Sequence, residues 1–144
     1  MTYLALKHAA PAGLLPRLFH ALTRARLVTQ YPHGGIVRGD TLMHSTLAKG
    51  LHAEPFNPRG WHLFPIPDQP WHDGLFEHYK GTPYDAFSQL AFALPWRISD
   101  SSRMYCYEWQ HLWLTGEKRR GRIVPELLLA LIASKTIQST SDKT

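Results

Sequence analysis

The chain has 144 residues, enough for one domain with a real hydrophobic core, and its 44% hydrophobic and 19% charged residues are typical of a globular protein. Its single cysteine excludes an internal disulfide and therefore a disulfide-stapled secreted scaffold. The net charge of +5 is concentrated in basic clusters at residues 17–26 and 118–122, which suit an anionic partner surface. No nucleic-acid-binding motif accompanies these clusters, so the sequence disfavours a nucleic-acid partner.

The N-terminal residues lack the uninterrupted apolar stretch of a signal peptide, because Lys7, His8, Pro11 and Pro16 break it up. The longest apolar run, Leu127–Ala133, is too short to cross a bilayer, so no transmembrane segment is expected. We therefore expect a chain made in the cytoplasm. Any action at the cell envelope would need delivery by other machinery or carriage in a phage particle.

The sequence predicts one domain over 1–144. Residues 1–30 are expected to form a helical segment, because Leu14–Leu27 has apolar residues at helical spacing with arginines on the other side. Residues 31–67 then read as an antiparallel β-meander, whose turns are Gly39-Asp40, Lys49-Gly50 and 57–60. The predicted strands are Gly34–Arg38, Thr41–Leu47, Leu51–Phe56 and Trp61–Ile66.

Residues 68–136 return to helical spacing, and 137–144 are expected to form a frayed tail. The predicted helices are Gln69–Tyr79, Tyr84–Leu94, Ser102–Leu114 and Pro125–Thr136, the last opened by a proline at a position typical of helix starts. A block of strands packed against helices is an α+β architecture.

The hairpin around Gly39-Asp40 predicts a pair of neighbouring histidines. If these two residues form the turn, Arg38 pairs with Thr41 and Gly35 lies opposite His44. His33 and His44 then share one face as diagonal neighbours, about 7–8 Å apart at the backbone. Such a pair suits a general base, His33, whose ring is held in one tautomer by His44.

Cys106 is predicted in the first turn of a helix capped by Ser101 or Ser102. The positive end of the helix dipole there favours thiolate over thiol, and a lone cysteine with histidines elsewhere is typical of a catalytic nucleophile. The alternative interpretation is a small buried hydrophobe. A zinc site made by His33, His44 and Cys106, with His52, is disfavoured because no short ligand pair is present, and no metal or cofactor is expected.

Three motifs together resemble the circularly permuted papain-like cysteine hydrolases related to NlpC-type cell-wall amidases, with the lecithin retinol acyltransferase group as cousins. Tyr31–Val37 (YPHGGIV) is similar to the family's histidine strand, Gly81–Asp85 (GTPYD) to the element before the nucleophile helix, and Tyr105–Trp109 (YCYEW) to the nucleophile segment. The histidine precedes the cysteine, which is the permuted order. The motifs span a little over half of the chain.

This resemblance implies a permuted papain-like fold with Cys106 as nucleophile and His33 as general base. It implies His44 as the third polar residue, and Tyr84 as an active-site tyrosine that stabilises the oxyanion. The sequence departs from the family at Tyr107, where a serine is usual, and at Gly34, where a valine is usual. The implied activity is cleavage of an amide bond in a peptide or peptidoglycan-like substrate.

Two alternatives remain open on the sequence. The same site could serve a thioesterase or acyltransferase acting on lipid chains, which the Leu14–Leu27 helix and the two histidines favour. The scaffold could also be a non-catalytic binding module, which the departure at Tyr107 favours.

Overall fold

The computed structural model describes residues 1–8, 17, 21, 29–85, 102–119 and 123–141, with side chains of the last stretch described to residue 134. These residues include a five-stranded antiparallel sheet and three α-helices of five residues or more, which confirms the α+β prediction. The strands are β1 (Thr2–Lys7), β2 (His33–Arg38), β3 (Thr41–Thr46), β4 (Gly50–Pro55) and β5 (Trp61–Ile66). The helices are α1 (Leu75–Tyr79), α2 (Cys106–Thr115) and α3 (Pro125–Ser141), and Pro70–His72 forms a 3-10 turn.

Strands β2 to β5 begin and end within one residue of their predicted bounds, because alternating side chains and glycine turns mark them clearly. The predicted turn at Gly39-Asp40 is present, with Gly39 at a φ of 59°. Arg38 pairs with Thr41 as the hairpin register predicts.

The first strand corrects two predictions. Residues Thr2–Lys7 form β1 instead of part of a helical segment, and the sheet order is β4-β3-β2-β1-β5. The meander therefore holds only for β2, β3 and β4, while β5 crosses over to pair with β1. Leu4 and Leu6 are fully buried on one side of β1 and Ala5 on the other, so burial on both faces stabilises a strand whose sequence shows no clear alternation.

The helices also differ from their predicted bounds. The segment Gln69–Tyr79 is divided into the 3-10 turn and α1 by Gly74, whose φ of 82° cannot continue a helix. Helix α2 begins at Cys106 instead of Ser102; Tyr105 is its N-cap residue, and the Tyr105 N–H donates to Glu108 at 3.2 Å. Helix α3 begins at Pro125 as predicted and continues to Ser141. The expected frayed tail is helical that far because the segment holds no glycine, and no proline after its first residue.

Two predicted helices lie outside the described residues. Leu14–Leu27 does so except for residues 17 and 21, and Tyr84–Leu94 does so from residue 86 onwards. None of the described helices has the length and apolar character needed to cross a membrane.

Helix α2 packs on the sheet over β2 and β3 and forms the centre of the core. Its Trp109 indole N–H donates to the Met43 carbonyl at 3.2 Å. Gln110 is fully buried, and its amide nitrogen donates to the carbonyls of Ala5 at 3.0 Å and Gly35 at 2.8 Å. These bonds hold α2 at a fixed position over three neighbouring strands, with its first residue, Cys106, near the start of β2.

Candidate active site

The pairing between β2 and β3 ends early. It covers three residue pairs, from Arg38–Thr41 to Ile36–Met43, whereas β2 pairs with β1 along its whole length and β3 pairs fully with β4. The first residues of β2 and the last residues of β3 are therefore free of each other's backbone. Side chains and the start of α2 can approach the backbone at this opening.

His33 and His44 lie at this opening and share a hydrogen bond. Nε2 of His33 is 2.8 Å from Nδ1 of His44, as the predicted hairpin register requires for two residues on one face. On its other side, the buried Nε2 of His44 is 3.2 Å from Oε1 of Glu54, an ion-pair distance. A row of three side chains, Glu54, His44 and His33, thus runs across the sheet.

The surroundings hold both imidazoles neutral. Burial lowers the pKa of His33, and the neighbouring His44, Lys7 and His52 lower it further. Burial also lowers the pKa of His44, although Glu54 opposes that shift. Positive charge is disfavoured at this pair because each ring has been removed from water and faces other groups that can carry positive charge.

Cys106 is fully buried at the first position of α2. The backbone N–H groups of Gly34, Tyr107 and Cys106 lie near its sulfur and act to lower the pKa of the thiol. Burial nevertheless raises the pKa of the Cys106 thiol to about 12, and the Glu108 carboxylate adds to the rise. Desolvation therefore outweighs the helix dipole, and the expected thiolate is a neutral thiol in this structure.

The structure brings Cys106 to β2 without joining it to His33. Ile36 packs in the core beneath α2, and a side chain at Gly34 would collide with Gln110 of that helix. Because successive side chains alternate, His33 faces the opposite side of the sheet, where its ring lies 5.9 Å from that of Trp61. Cys106 therefore lies near the backbone of Gly34, the residue that follows His33, and no hydrogen bond joins its thiol to the His33 ring.

The three sequence motifs meet at this end of the sheet. In the GTPYD segment, the Gly81 N–H donates to the Leu51 carbonyl at 2.8 Å, and the Leu51 N–H donates to the Thr82 carbonyl at 2.9 Å. The Met104 N–H, two residues before the cysteine, donates to the Pro83 carbonyl at 2.9 Å. Backbone hydrogen bonds therefore fix the segment against β4 and against the approach to α2.

Tyr84, predicted to stabilise an oxyanion, is buried in the main core. It is close enough to Tyr107 to influence the pKa of that phenol, which burial raises well above its usual value. Tyr107 is the residue at which the sequence departs from the motif of the resembled family. Its hydroxyl donates to the Tyr31 carbonyl, and this hydrogen bond connects the start of α2 to the segment before β2.

The sequence did not identify Glu54, which the structure places beside both His44 and His52. His52 and Glu54 are two residues apart on β4, and His52 pairs directly with His44, so all three side chains lie on one face. The spacing His52-x-Glu54, combined with the Lys49-Gly50 turn, was the signal that could have revealed this cluster.

No protein family, curated protein or solved structure that was compared matches this chain. Its chemistry must therefore be argued from the geometry. The arrangement offers a buried thiol near the backbone of Gly34 and, one residue earlier on β2, an imidazole hydrogen-bonded to a second imidazole that lies beside a carboxylate.

Proposed function

We propose that this protein is a cysteine hydrolase of the permuted papain-like kind that cleaves an amide bond in a peptidoglycan-type peptide. The observation that carries the proposal is the closeness of the Cys106 thiol to the backbone N–H of Gly34, at the end of β2 that is not paired with β3. It brings the only thiol of the chain, at a helix start, near the residue that follows His33.

The row of side chains supports the role of His33 as the base. The Glu54 carboxylate favours a proton on the nearer ring nitrogen of His44, Nε2. Nδ1 of His44 then accepts, so Nε2 of His33 must donate across the 2.8 Å contact. This leaves the lone pair of His33 on Nδ1, the nitrogen available to take a proton from a nucleophile.

The proposed reaction has two balanced steps. As the Cys106 sulfur bonds to the carbonyl carbon, its proton passes to Nδ1 of His33, and the amine leaves with that proton as the C–N bond breaks. Water then attacks the acyl-enzyme, giving its proton to His33 and releasing the acid and the thiol. The raised thiol pKa means that the proton moves during attack, not before it.

The proposal makes a geometric demand on His33. Its ring must reach the thiol around the end of β2 that is not paired with β3, because in the described structure it faces away from α2. The N–H groups near Cys106 are candidates for oxyanion stabilisation, and Tyr84 would act with them.

A second candidate function is a non-catalytic binding module on the same scaffold. The observations that favour it are the fully buried, neutral thiol and the absence of a hydrogen bond between Cys106 and His33. In this reading Cys106 is a core residue and the histidine row holds the sheet together.

Acyl-enzyme trapping separates the two candidates. The native protein is incubated with an activated peptide ester and with stem-peptide amides, and intact mass is measured together with released amine. Hydrolase activity predicts one acyl group per chain on Cys106, no acylation of Cys106→Ala, and a loss of more than about a hundredfold in rate for His33→Ala. The exposed His78 supplies the matched control, His78→Gln, which should keep the native rate. Equal, slow acylation of the native protein and His33→Ala would favour the binding module.

A further inference from the structure

The strongest cluster outside the proposed thiol chemistry is formed by His44, His52 and Glu54. One ligand atom from each residue can be chosen so that all three lie within 4.8 Å of one another. The rings of His44 and His52 lie 4.5 Å apart, because the two residues form a directly opposed cross-strand pair. Glu54, two residues along β4, places its carboxylate between them.

One ring nitrogen from each histidine of this cluster faces the Glu54 carboxylate, an arrangement suited to a metal. Nδ1 of His52 contacts the Gly50 carbonyl at 3.0 Å, and since a carbonyl only accepts, the proton of this ring lies on Nδ1. The lone pair of His52 is therefore on Nε2, which is 3.6 Å from Oε2 of Glu54. Nε2 of His44 is buried and 3.2 Å from the other carboxylate oxygen, and it offers a lone pair once its proton moves to Nδ1.

The dimensions also fit. Zinc binds imidazole nitrogen and carboxylate oxygen at about 2.0–2.2 Å, which places neighbouring ligand atoms of a tetrahedral site about 3.4 Å apart. The nitrogen-to-oxygen distances, 3.2 Å from His44 to Oε1 and 3.6 Å from His52 to Oε2 of the same carboxylate, are close to that value. One ligand atom from each of the three residues lies within 4.8 Å of the others, and a bound ion would draw them closer together. The His44 side chain is only 7% exposed, whereas that of Glu54 is 41% exposed, so the cluster has a buried inner wall and a solvent side through which an ion and a water ligand can enter.

We propose that His44, His52 and Glu54 form a zinc-binding site, and that zinc at this site sets the tautomer of His33. A zinc ion on Nε2 of His44 requires the proton of that ring to be on Nδ1, which must then donate to Nε2 of His33 across their 2.8 Å contact. His33 consequently carries its own proton on Nδ1. This is the reverse of the tautomer that its role as a base requires.

The consequence for activity rests on the proposed function, while the site itself does not. With zinc bound, Nδ1 of His33 is already protonated and cannot accept the proton of Cys106. Zinc bound to His44, whose ring is hydrogen-bonded to that of His33, therefore inhibits the proposed reaction. Its ligands exclude Cys106, which lies on the other side of the sheet.

The test begins with zinc binding by untagged full-length protein, measured by calorimetry and by competition with a chromophoric chelator. One zinc per chain is expected, with affinity reduced more than about tenfold in His52→Gln and unchanged in His78→Gln. Cobalt(II) substitution should give visible d–d absorption without a thiolate-to-metal charge-transfer band. Equal zinc affinity in native protein and His52→Gln, or a thiolate band, would overturn the site.

The tautomer is read separately by nitrogen-15 NMR of the histidine rings. Zinc should move the His33 proton from Nε2 to Nδ1 in the native protein and leave it in place in His52→Gln. An unchanged His33 tautomer in the zinc-bound protein would overturn the coupling while leaving the metal site intact. Inhibition of amide hydrolysis by zinc is measured last. If the protein has no hydrolase activity, only the proposed function is contradicted, and the binding and NMR results still decide whether the zinc site and its coupling to His33 exist.

Discussion

Cys106 and Gly34 lie close together where the start of α2 meets the start of β2, and the backbone N–H of Gly34 acts to lower the pKa of the Cys106 thiol. The shortened β2–β3 pairing leaves this part of β2 without a β3 partner. The thiol is nevertheless neutral, because the complete removal of water disfavours a thiolate more than the nearby N–H groups favour it.

Alkylation of Cys106 should therefore be slow at neutral pH. With a thiol pKa of about 12, the thiolate fraction rises about tenfold per pH unit across the range from pH 7 to 10, and no plateau appears in that range. Iodoacetamide labelling followed by mass spectrometry measures the rate, and the chain unfolded in guanidinium provides the control, with a plateau above a pKa of about 8.5. A plateau near pH 7 in the folded protein would contradict the buried neutral thiol.

His72 should make the protein less stable in acid. It is buried against Trp113; its Nε2–H donates to the Trp113 carbonyl at 3.0 Å, and its Nδ1 accepts the Gln69 N–H at 3.2 Å. Burial lowers the pKa of His72 in the folded protein. Below the pKa of about 6.5 in the unfolded chain, the unfolded chain therefore binds more protons than the folded protein. The free energy of unfolding consequently decreases as the pH is lowered.

Urea unfolding at several pH values between 8 and 4 measures this slope. The variant His72→Gln should be less stable by about 1–3 kcal/mol at pH 7.5, because it leaves buried polar groups unpaired, and should show a shallower loss in acid. His78→Gln, at an exposed histidine, should keep the native slope. Equal slopes in native protein and His72→Gln would show that other groups carry the acid sensitivity.

Gly50 should tolerate no side chain. Its φ is 65°, and a Cβ there would collide with the backbone carbonyl of Thr82 in the GTPYD segment. Gly39, with a φ of 59° and open space around it, is the matched control. Gly39→Ala should cost about 1–2 kcal/mol from backbone conformation alone, whereas Gly50→Ala should cost clearly more in urea unfolding. Equal costs would mean that the segment moves aside freely.

Gln110 should be a main attachment of α2. Replacing it with leucine leaves the carbonyls of Ala5 and Gly35 without their donor, and a loss of about 2–4 kcal/mol in the free energy of unfolding is expected. The exposed Gln30 provides the control Gln30→Leu, which should have little effect. Faster alkylation of Cys106 in Gln110→Leu would show that the bond also holds the start of the helix closed. A native-like stability would remove Gln110 from this role.

Local patterns predicted the hairpins well, because Gly39-Asp40 fixed both the turn and the register that joins His33 to His44. Strand β1 was not predicted, because it is buried on both faces and its sequence does not alternate between apolar and polar residues. The pairing of β5 with β1 was not predicted either, because no residue near β5 in the chain indicates it. These pairings depend on contacts between residues far apart in sequence.

The same limit applies to the candidate site. The helix start at Cys106 could be predicted within a few residues, but its depth of burial depends on the packing of α2, and burial reverses the direction of the thiol pKa shift. The hairpin pattern also does not predict which face of the sheet α2 covers. The family-type pairing of Cys106 with His33 stays a prediction for the trapping experiment.

The position of β1 inside the sheet, between β2 and β5, has a consequence for how the sheet assembles. Thr2–Lys7 pairs on one side with His33–Arg38 and on the other with Trp61–Ile66, so both partners follow it in the chain by many residues. The β2–β3–β4 hairpins can close early through short loops, whereas the β1–β5 ladder closes a loop of more than fifty residues at a larger entropic cost. During synthesis β1 has both edges unpaired until its partners emerge, which makes it the segment most in need of protection against pairing with other chains.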